Sequence, residues 1–373
     1  MTLPLARNYE PMEARLVDEL PTGDEWQYEP KWDGFRCLAF RDGAKVDVMS
    51  KAQKPLSRYF PDLVDTLREI RATRFVLDGE IVVPKDGVLS FDELLLRIHP
   101  AKSRVEKLAA ESPATLVVFD LLVDAKGRSL AGEPLATRRE ALEAFVAKEV
   151  PPSLRVRLSP ATTSTATVKR WFRSIGGGLD GIIAKRLDLP YQSGTRDGME
   201  KMKSMRTAEC VVGGFRYASK GKLVGSLLLG LYDDDGLLDH VGFTSNIPTA
   251  EKPSVTKKLE KLVKPPGFTG QAPGGPSRWS TERSSEWEPL APKLVVEVKY
   301  DHFSGGRFRH GTSFLRWRPD KPPRKCTIAQ VEQEGRSALK LLARWRPAHP
   351  VNARLLRAWP SRDPATRARR RRS

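Results

Sequence analysis

Apolar positions recur with two different periods along this 373-residue chain, and the mixture changes near residue 205. Residues 1–25, with prolines at 4, 11 and 21, read as an extended lead into a strand at Trp26-Gln27-Tyr28-Glu29. Cys37 to Phe40 is an apolar run, Arg41 to Ala44 a turn, and Lys45 to Met49 an alternating strand. Ser57 to Ile70 has helical spacing, with Phe60, Leu63, Val64, Leu67 and Ile70 on one face. Phe75 to Leu77 and Ile81 to Val83 are apolar half-strands around Asp78-Gly79-Glu80. Helices are predicted at Phe91 to Ile98, Ser103 to Ala110, Leu135 to Lys148 and Thr165 to Ser174. Thr115 to Val123 is a central strand, and Val156 and Leu158 mark a short one.

Beyond 205 the elements shorten. Glu209 to Phe215, Gly225 to Tyr232, Leu238 to Phe243 and Lys293 to Tyr300 are strands with glycine turns, joined by one helix (Lys252 to Val263) and a Pro/Gly/Ser loop (Lys264 to Ser285). Short strands with a single helix suggest a small barrel. A helix is possible from Gln330 to Leu342, in a tail otherwise expected to be flexible.

Charge changes the picture. The chain carries +18, of which residues 340–373 hold +10 (Lys340 and ten arginines against Asp363), leaving +8 on the body. That excess points to a polyanionic partner, because phosphate neutralisation dominates nucleic-acid affinity. No apolar run reaches the ~18 residues of a membrane span, and Met1 to Leu5 lacks a signal-peptide pattern. Cys37, Cys210 and Cys326 are far apart without a C-x-x-C pair, which argues for free thiols in a reducing cytoplasm and against zinc.

The candidate chemistry centres on Glu29-Pro30-Lys31-Trp32-Asp33-Gly34-Phe35-Arg36. A lysine with acids two residues before and after is a candidate amine nucleophile once deprotonated, from a free pKa near ~10.4. Nearby cations would lower that value, and basic groups do follow downstream. Gly34 admits a close backbone approach, and Arg36 offers a cationic fork for phosphate or ribose. Asp78 and Glu80 in an apolar strand are costly unless they serve a cation or hydrogen-bond partners; a hairpin turn at Asp-Gly is the alternative. Phe119 is either core or a stacking platform. Gly176 to Arg186 places Asp180 on a glycine-rich turn before a strand that carries Lys185. Alternation puts Lys201 and Lys203 on one strand face, converging on one anion.

The lysine stretch resembles motif I of the covalent nucleotidyltransferases: ATP-dependent DNA ligases, RNA ligases and capping enzymes. Asp78-Gly79-Glu80 resembles motif III, Phe119 motif IIIa, Asp180 with Lys185 motif IV, Lys201-Met202-Lys203 motif V, and Arg318-Pro319-Asp320-Lys321 motif VI. Six motifs in order across residues 26–322 resemble the short bacterial ATP-dependent DNA ligases of the repair type. The resemblance implies an α+β fold: an adenylation (nucleotidyltransferase, ATP-grasp-like) domain at 1–205, an OB-fold β-barrel domain at 206–330, and a basic tail at 331–373.

It also implies roles. Lys31 would carry AMP and Glu29 would read the adenine amine. Arg36, Lys51 and Glu80 would contact ribose, Phe119 would stack on the purine, and Lys185, Arg196, Lys201 and Lys203 would complete the nucleotide site. Arg318, Asp320 and Lys321 would orient pyrophosphate, and Glu80 and Asp180 would hold Mg²⁺, with Mn²⁺ as the alternative. Three positions depart from the commoner pattern: Lys51 for arginine, Asp180 for glutamate and Met199 for tryptophan. The implied substrates are ATP and nicked double-stranded DNA, for a cytoplasmic, nucleoid-associated monomer with repair-protein partners and no membrane contact. An RNA ligase or capping-like enzyme shares motifs I to V. A basic OB-type binder would explain the charge but not Lys31 and its companions. A P-loop reading fails, because Gly306 to Gly311 followed by Thr312 lacks the Gly-Lys pair.

The charge distribution generates a test. Truncation at 340 should leave self-adenylylation intact while weakening nicked-DNA binding. The slope of log affinity against log salt should flatten by roughly 0.9 for each phosphate the tail neutralises. An unchanged slope would instead assign the tail to a protein partner.

Overall fold

The computed structural model describes residues 3–175, 179–274, 286–331 and 338–344. The glycines of Gly176 to Gly178, the end of the 264–285 loop and the tail from 345 therefore lie outside the described residues. In chain order the first half contains β1 (Arg15–Leu16), β2 (Trp26–Pro30), β3 (Phe35–Asp42), β4 (Lys45–Ser50), α1 (Pro61–Arg68) and β5 (Arg74–Val82). These are followed by β6 (Pro84–Lys85), β7 (Val88–Leu89), α2 (Phe91–Arg97), α3 (Lys102–Glu111), β8 (Thr115–Val123) and α4 (Leu135–Glu149). Then come β9 (Val156–Leu158), α5 (Thr165–Ile175), β10 (Gly181–Arg186) and β11 (Met199–Lys203).

Two sheets face each other. One runs β4-β3-β5-β8-β9, the other β1-β11-β10-β2. Every residue of β8 is buried, because both of its faces are covered. Its alternate residues Leu116 and Val118 join the helix-side core with Leu63, Leu67 and Leu142. Val117 and Phe119 turn to the other side, toward Trp26, Tyr28 and Ile182 of the second sheet. The continuous apolar run at 115–123 is thus a central strand, as its pattern predicts.

Two boundaries differ from expectation for local reasons. The helix expected from Ser57 splits: Ser57–Tyr59 is a 3₁₀ turn, and α1 starts afresh with Pro61 at its first turn after a non-helical Phe60. Proline disfavours helical backbone in the residue before it and suits a helix start. Asp78-Gly79-Glu80 is no hairpin; β5 runs straight through it, paired on both sides.

The second half contains β12 (Arg206–Tyr217), β13 (Val224–Tyr232), β14 (Leu238–Thr244), α6 (Lys252–Glu260), β15 (Glu288–Pro289) and β16 (Val295–Tyr300). It continues with β17 (Phe303–Ser304), β18 (Arg307–Phe308), β19 (Ser313–Trp317) and α7 (Leu339–Arg344). Its sheet runs β14-β13-β12-β16-β19, with β15 paired to β12. Among the described residues this pairing does not close into a complete barrel. Its core, from Ala208 to Val331, is a separate cluster from those of the first half. Of the helix expected from Gln330 to Leu342, residues 332–337 lie outside the described residues; Ile328–Gln330 is a 3₁₀ turn, and α7 covers Leu339–Arg344. Ala338 is buried and Leu341 and Leu342 pack against the first half, in the cluster of Trp32 and Trp171.

Asp120 on β8 and Arg138 on α4 form a bidentate pair at 2.9 Å, exposed by only 2 % and 1 %. Arg138→Leu strands the Asp120 carboxylate, so unfolding in urea should show a loss of about 3–5 kcal/mol. Replacing both partners with apolar residues should recover part of it.

Candidate active site

Lys31 follows β2 directly. Its backbone N–H donates to the Gly181 carbonyl at 2.9 Å, tying it to the start of β10. Gly181 has φ +148°, and a Cβ there would run into the Met202 carbonyl of β11. Only glycine lets β10 approach β11 this closely beside the lysine. A cavity of about 610 Å³ opens at Lys31, lined among others by Glu29, Phe119, Lys185, Lys51, Met199 and Lys201. That volume suits a nucleotide-sized ligand.

The Lys31 ammonium is in ion-pair contact with Asp180 Oδ2. Burial alone would pull its pKa down, but Asp180, Glu80 and Asp33 outweigh burial and hold it above the usual lysine value. This corrects the expectation that neighbouring cations lower Lys31. The lysine that is lowered is Lys201, by burial and then by Lys51, Lys31, Lys203 and Arg196. Glu80 is pushed up to about 8, chiefly by burial, so it is neutral at pH 7 with the cavity as it stands.

Three further carboxylates are held by built-in partners. Asp78, fully buried, accepts from Arg36 Nε at 3.0 Å, from Arg36 Nη2 at 2.7 Å and from the Tyr191 hydroxyl at 2.6 Å. Tyr191 in turn accepts from the Met12 N–H at 3.1 Å. The Arg36 fork is therefore fixed over Phe119, 5.2 Å from the ring centroid. Glu29 accepts from Lys185 Nζ at 3.0 Å on both oxygens and from Gln27 Nε2 at 2.8 Å. The Lys185 ammonium lies 4.4 Å from the Phe119 centroid. Glu13 takes Lys51 at 3.0 Å and Arg196 at 3.2 Å.

Not every expected residue reaches the cavity. Lys201 lines it, but Lys203 does not. Lys203 Nζ is bound 2.7 Å from Asp301 Oδ2, just after β16. Arg196 is largely exposed on Glu13, outside the lining. Arg318, Asp320 and Lys321 are also outside it; Arg318 pairs with Asp320 at 2.7 Å and with Glu209, which Lys321 contacts as well. The second half instead presents the segment 301–310. Arg309 Nη1 donates to both Asp33 oxygens at 2.7 and 2.8 Å, and its guanidinium sits 3.8 Å from the Phe91 ring centroid.

Sequence reasoning missed Gln27, Tyr191, Asp301 and Arg309 as parts of this network, while Asp33, singled out as the acid after Lys31, does act on it. For Tyr191 there was a signal: a buried Asp78 inside a strand needs donors, and Arg36 alone leaves lone pairs over. Among the described residues no group of three or more histidine, cysteine or acidic side chains could hold a metal unaided. Asp180 and Glu80, both acting on Lys31, suit Mg²⁺, which takes one or two carboxylates and completes its shell with water and phosphate oxygens.

The chain matches the family described as ATP dependent DNA ligase domain over residues 5–203 and that described as ATP dependent DNA ligase C terminal region over 220–321. It is 45 % identical over 354 residues to DNA ligase C2 of Mycolicibacterium smegmatis, covering 91 % of this chain and 98 % of that one. With DNA ligase C of Mycobacterium tuberculosis the identity is 42 % over 348 residues, covering 89 % and 96 %. A solved Lig E DNA ligase matches with TM-score 0.50 at 17 % identity, covering 83 % of this chain and 99 % of that one, which is a likeness of fold alone.

Proposed function

The chain belongs to the ATP-dependent DNA ligase family, and on that premise we propose that it seals repair nicks bearing a 3′-hydroxyl and a 5′-phosphate through AMP carried on Lys31. The observation that carries this reading is Lys31, which lines a cavity of about 610 Å³ while its ammonium is in contact with Asp180.

In the first step Asp180 turns to the bound cation and the Lys31 ammonium, relieved of its contact partner, loses its proton to solvent. The Nζ lone pair attacks the ATP α-phosphorus, an N–P bond forms, and the bond to the bridging oxygen breaks to release pyrophosphate. A nick 5′-phosphate oxygen then attacks the AMP phosphorus and Lys31 leaves. Finally the 3′-hydroxyl attacks the 5′-phosphorus of the activated strand, and AMP departs.

Glu29 would accept from the adenine amine. Lys185 and Gln27 engage three of its four lone-pair positions, which leaves one for the base. Phe119 would stack on the purine, Arg36 and Glu80 would meet the ribose, and Lys51, Lys201 and Lys203 would take phosphoryl charge as it builds. Arg196 sits farther out, as a steering cation. A divalent cation on Asp180 and Glu80, Mg²⁺ or Mn²⁺, would offset charge on the α-phosphoryl oxygens. Residues 1–205 would act as the adenylation domain and 206–330 as an OB domain, with the enzyme a monomer on nicked duplex DNA.

Motif VI bears on the order of events. With Arg318 and Lys321 on Glu209, the second domain stands in an arrangement suited to steps after adenylylation. Reaching pyrophosphate requires it to turn.

Two outcomes test the reading. Lys31→Ala and Lys31→Arg should both abolish label transfer from α-labelled ATP, since arginine stays protonated. Label persisting in Lys31→Ala would refute the nucleophile. Arg318→Ala or Lys321→Ala should impair self-adenylylation yet spare sealing by enzyme already charged with AMP. Equal losses in both assays would remove the case for domain motion.

A further inference from the structure

Lys201 and Lys203 share a face of β11, yet only Lys201 lines the cavity. Lys203 is drawn 2.7 Å from Asp301, which belongs to the other half of the molecule. Asp301 is a firm anchor. Burial pushes its carboxyl up, but Lys203 and His310 outweigh burial and bring it down to about 2. Asp301 also adjoins His302, which lies 3.8 Å from Asp33, and the same segment carries Arg309 on Asp33. The hold on Lys203 and the seating of the second domain over motif I are therefore one unit.

We propose that Asp301 is a positioning residue that competes with nucleotide phosphate for Lys203. It keeps the ammonium out of the cavity while the second domain sits over Asp33, and yields it when a triphosphate enters. The inference rests on the reading of Lys203 as a phosphate ligand.

Electrostatics support the exchange. The cavity already gathers Lys31, Lys51 and Lys201, and Lys201 is held down first by burial and then by Lys51 and Lys31. A further ammonium is unfavourable there until an anion arrives, and Asp301 offers it a place meanwhile. A triphosphate reverses the balance: Lys203 turns inward, and the second domain loses one of its attachments as the nucleotide binds. Once pyrophosphate has left, Asp301 regains Lys203 and the domain reseats. By linkage, whatever removes Asp301 must strengthen nucleotide binding as much as bound nucleotide weakens the Asp301 contact.

The test uses the full chain and α,β-methylene-ATP, which cannot transfer AMP. Asp301→Asn should raise affinity for this nucleotide by roughly fivefold, the low end of ordinary coupling between sites. It should also slow single-turnover sealing of a nicked duplex by AMP-charged enzyme. Asp301→Glu, which keeps the ion pair, should restore both, a pattern that a misfolded variant would not give. Affinity unchanged or lowered in Asp301→Asn, or sealing unchanged, would overturn the proposal. Lys203→Ala separates the layers, since it should weaken α,β-methylene-ATP binding. If it does not, Lys203 is no phosphate ligand and the underlying reading fails. If it does while Asp301→Asn binds no tighter, only the competition is wrong.

Discussion

A carboxylate taken out of water costs several kcal/mol unless a cation or enough donors are built beside it. The first half of the molecule buries Glu29, Asp78 and Asp120 almost completely. Each is met by one residue with the right reach: Lys185, Arg36 and Arg138. The rest of the site depends on these pairings. β2 and β10 are in register so that Glu29 lies opposite Ile183 and Gln27 opposite Lys185, which is what brings Glu29 and Lys185 together. Moving β10 by one residue would turn Lys185 to the other face and strand the acid.

The same pairs make a site that is rigid before any ligand enters. Arg36 does not search for a ribose; Asp78 and Tyr191 hold its fork in place. Glu29 is nearly saturated by its own neighbours and retains a single acceptor position. Lys31 is the exception. Asp180 and Asp33 keep it charged, so on the proposed reading its nucleophilicity waits on an event that relieves those carboxylates. On the proposed reading a triphosphate and its cation would supply that event. An amine kept protonated until then is protected from wasteful reaction.

The legible part of the fold was what periodicity and buried runs encode. The β8 run, the helical faces and the change near 205 are local patterns, and they survive tertiary packing. What stayed hidden is contact between residues far apart in sequence. Nothing near Asp301 says that Lys203, 98 residues away, is its partner. Nor does R-x-D-K say that Glu209 holds it aside. The alternation argument for Lys201 and Lys203 was right about the strand, but in this structure Lys203 goes to Asp301 and only Lys201 lines the cavity. A side chain's face is fixed by the pleat, but a lysine is long enough to follow the nearest acid. Phe60-Pro61 is the converse, a local signal that breaks the helix despite the helical spacing around it.

Among the described residues the two halves of the molecule meet through ion pairs as well as through the apolar face of α7. Asp33 with Arg309 and Asp301 with Lys203 join the segment 301–310 to motif I and motif V. Each half keeps its own hydrophobic cluster, and α7 is the described element that returns from one to the other. Ion pairs at a partly solvated boundary exchange partners at little cost, whereas a shared apolar core would have to be torn open. A ligase that must admit ATP, expel pyrophosphate and then grip DNA with the same surfaces needs a boundary of this kind. The phosphates it handles are the natural competitors for the arginine and lysine that close it.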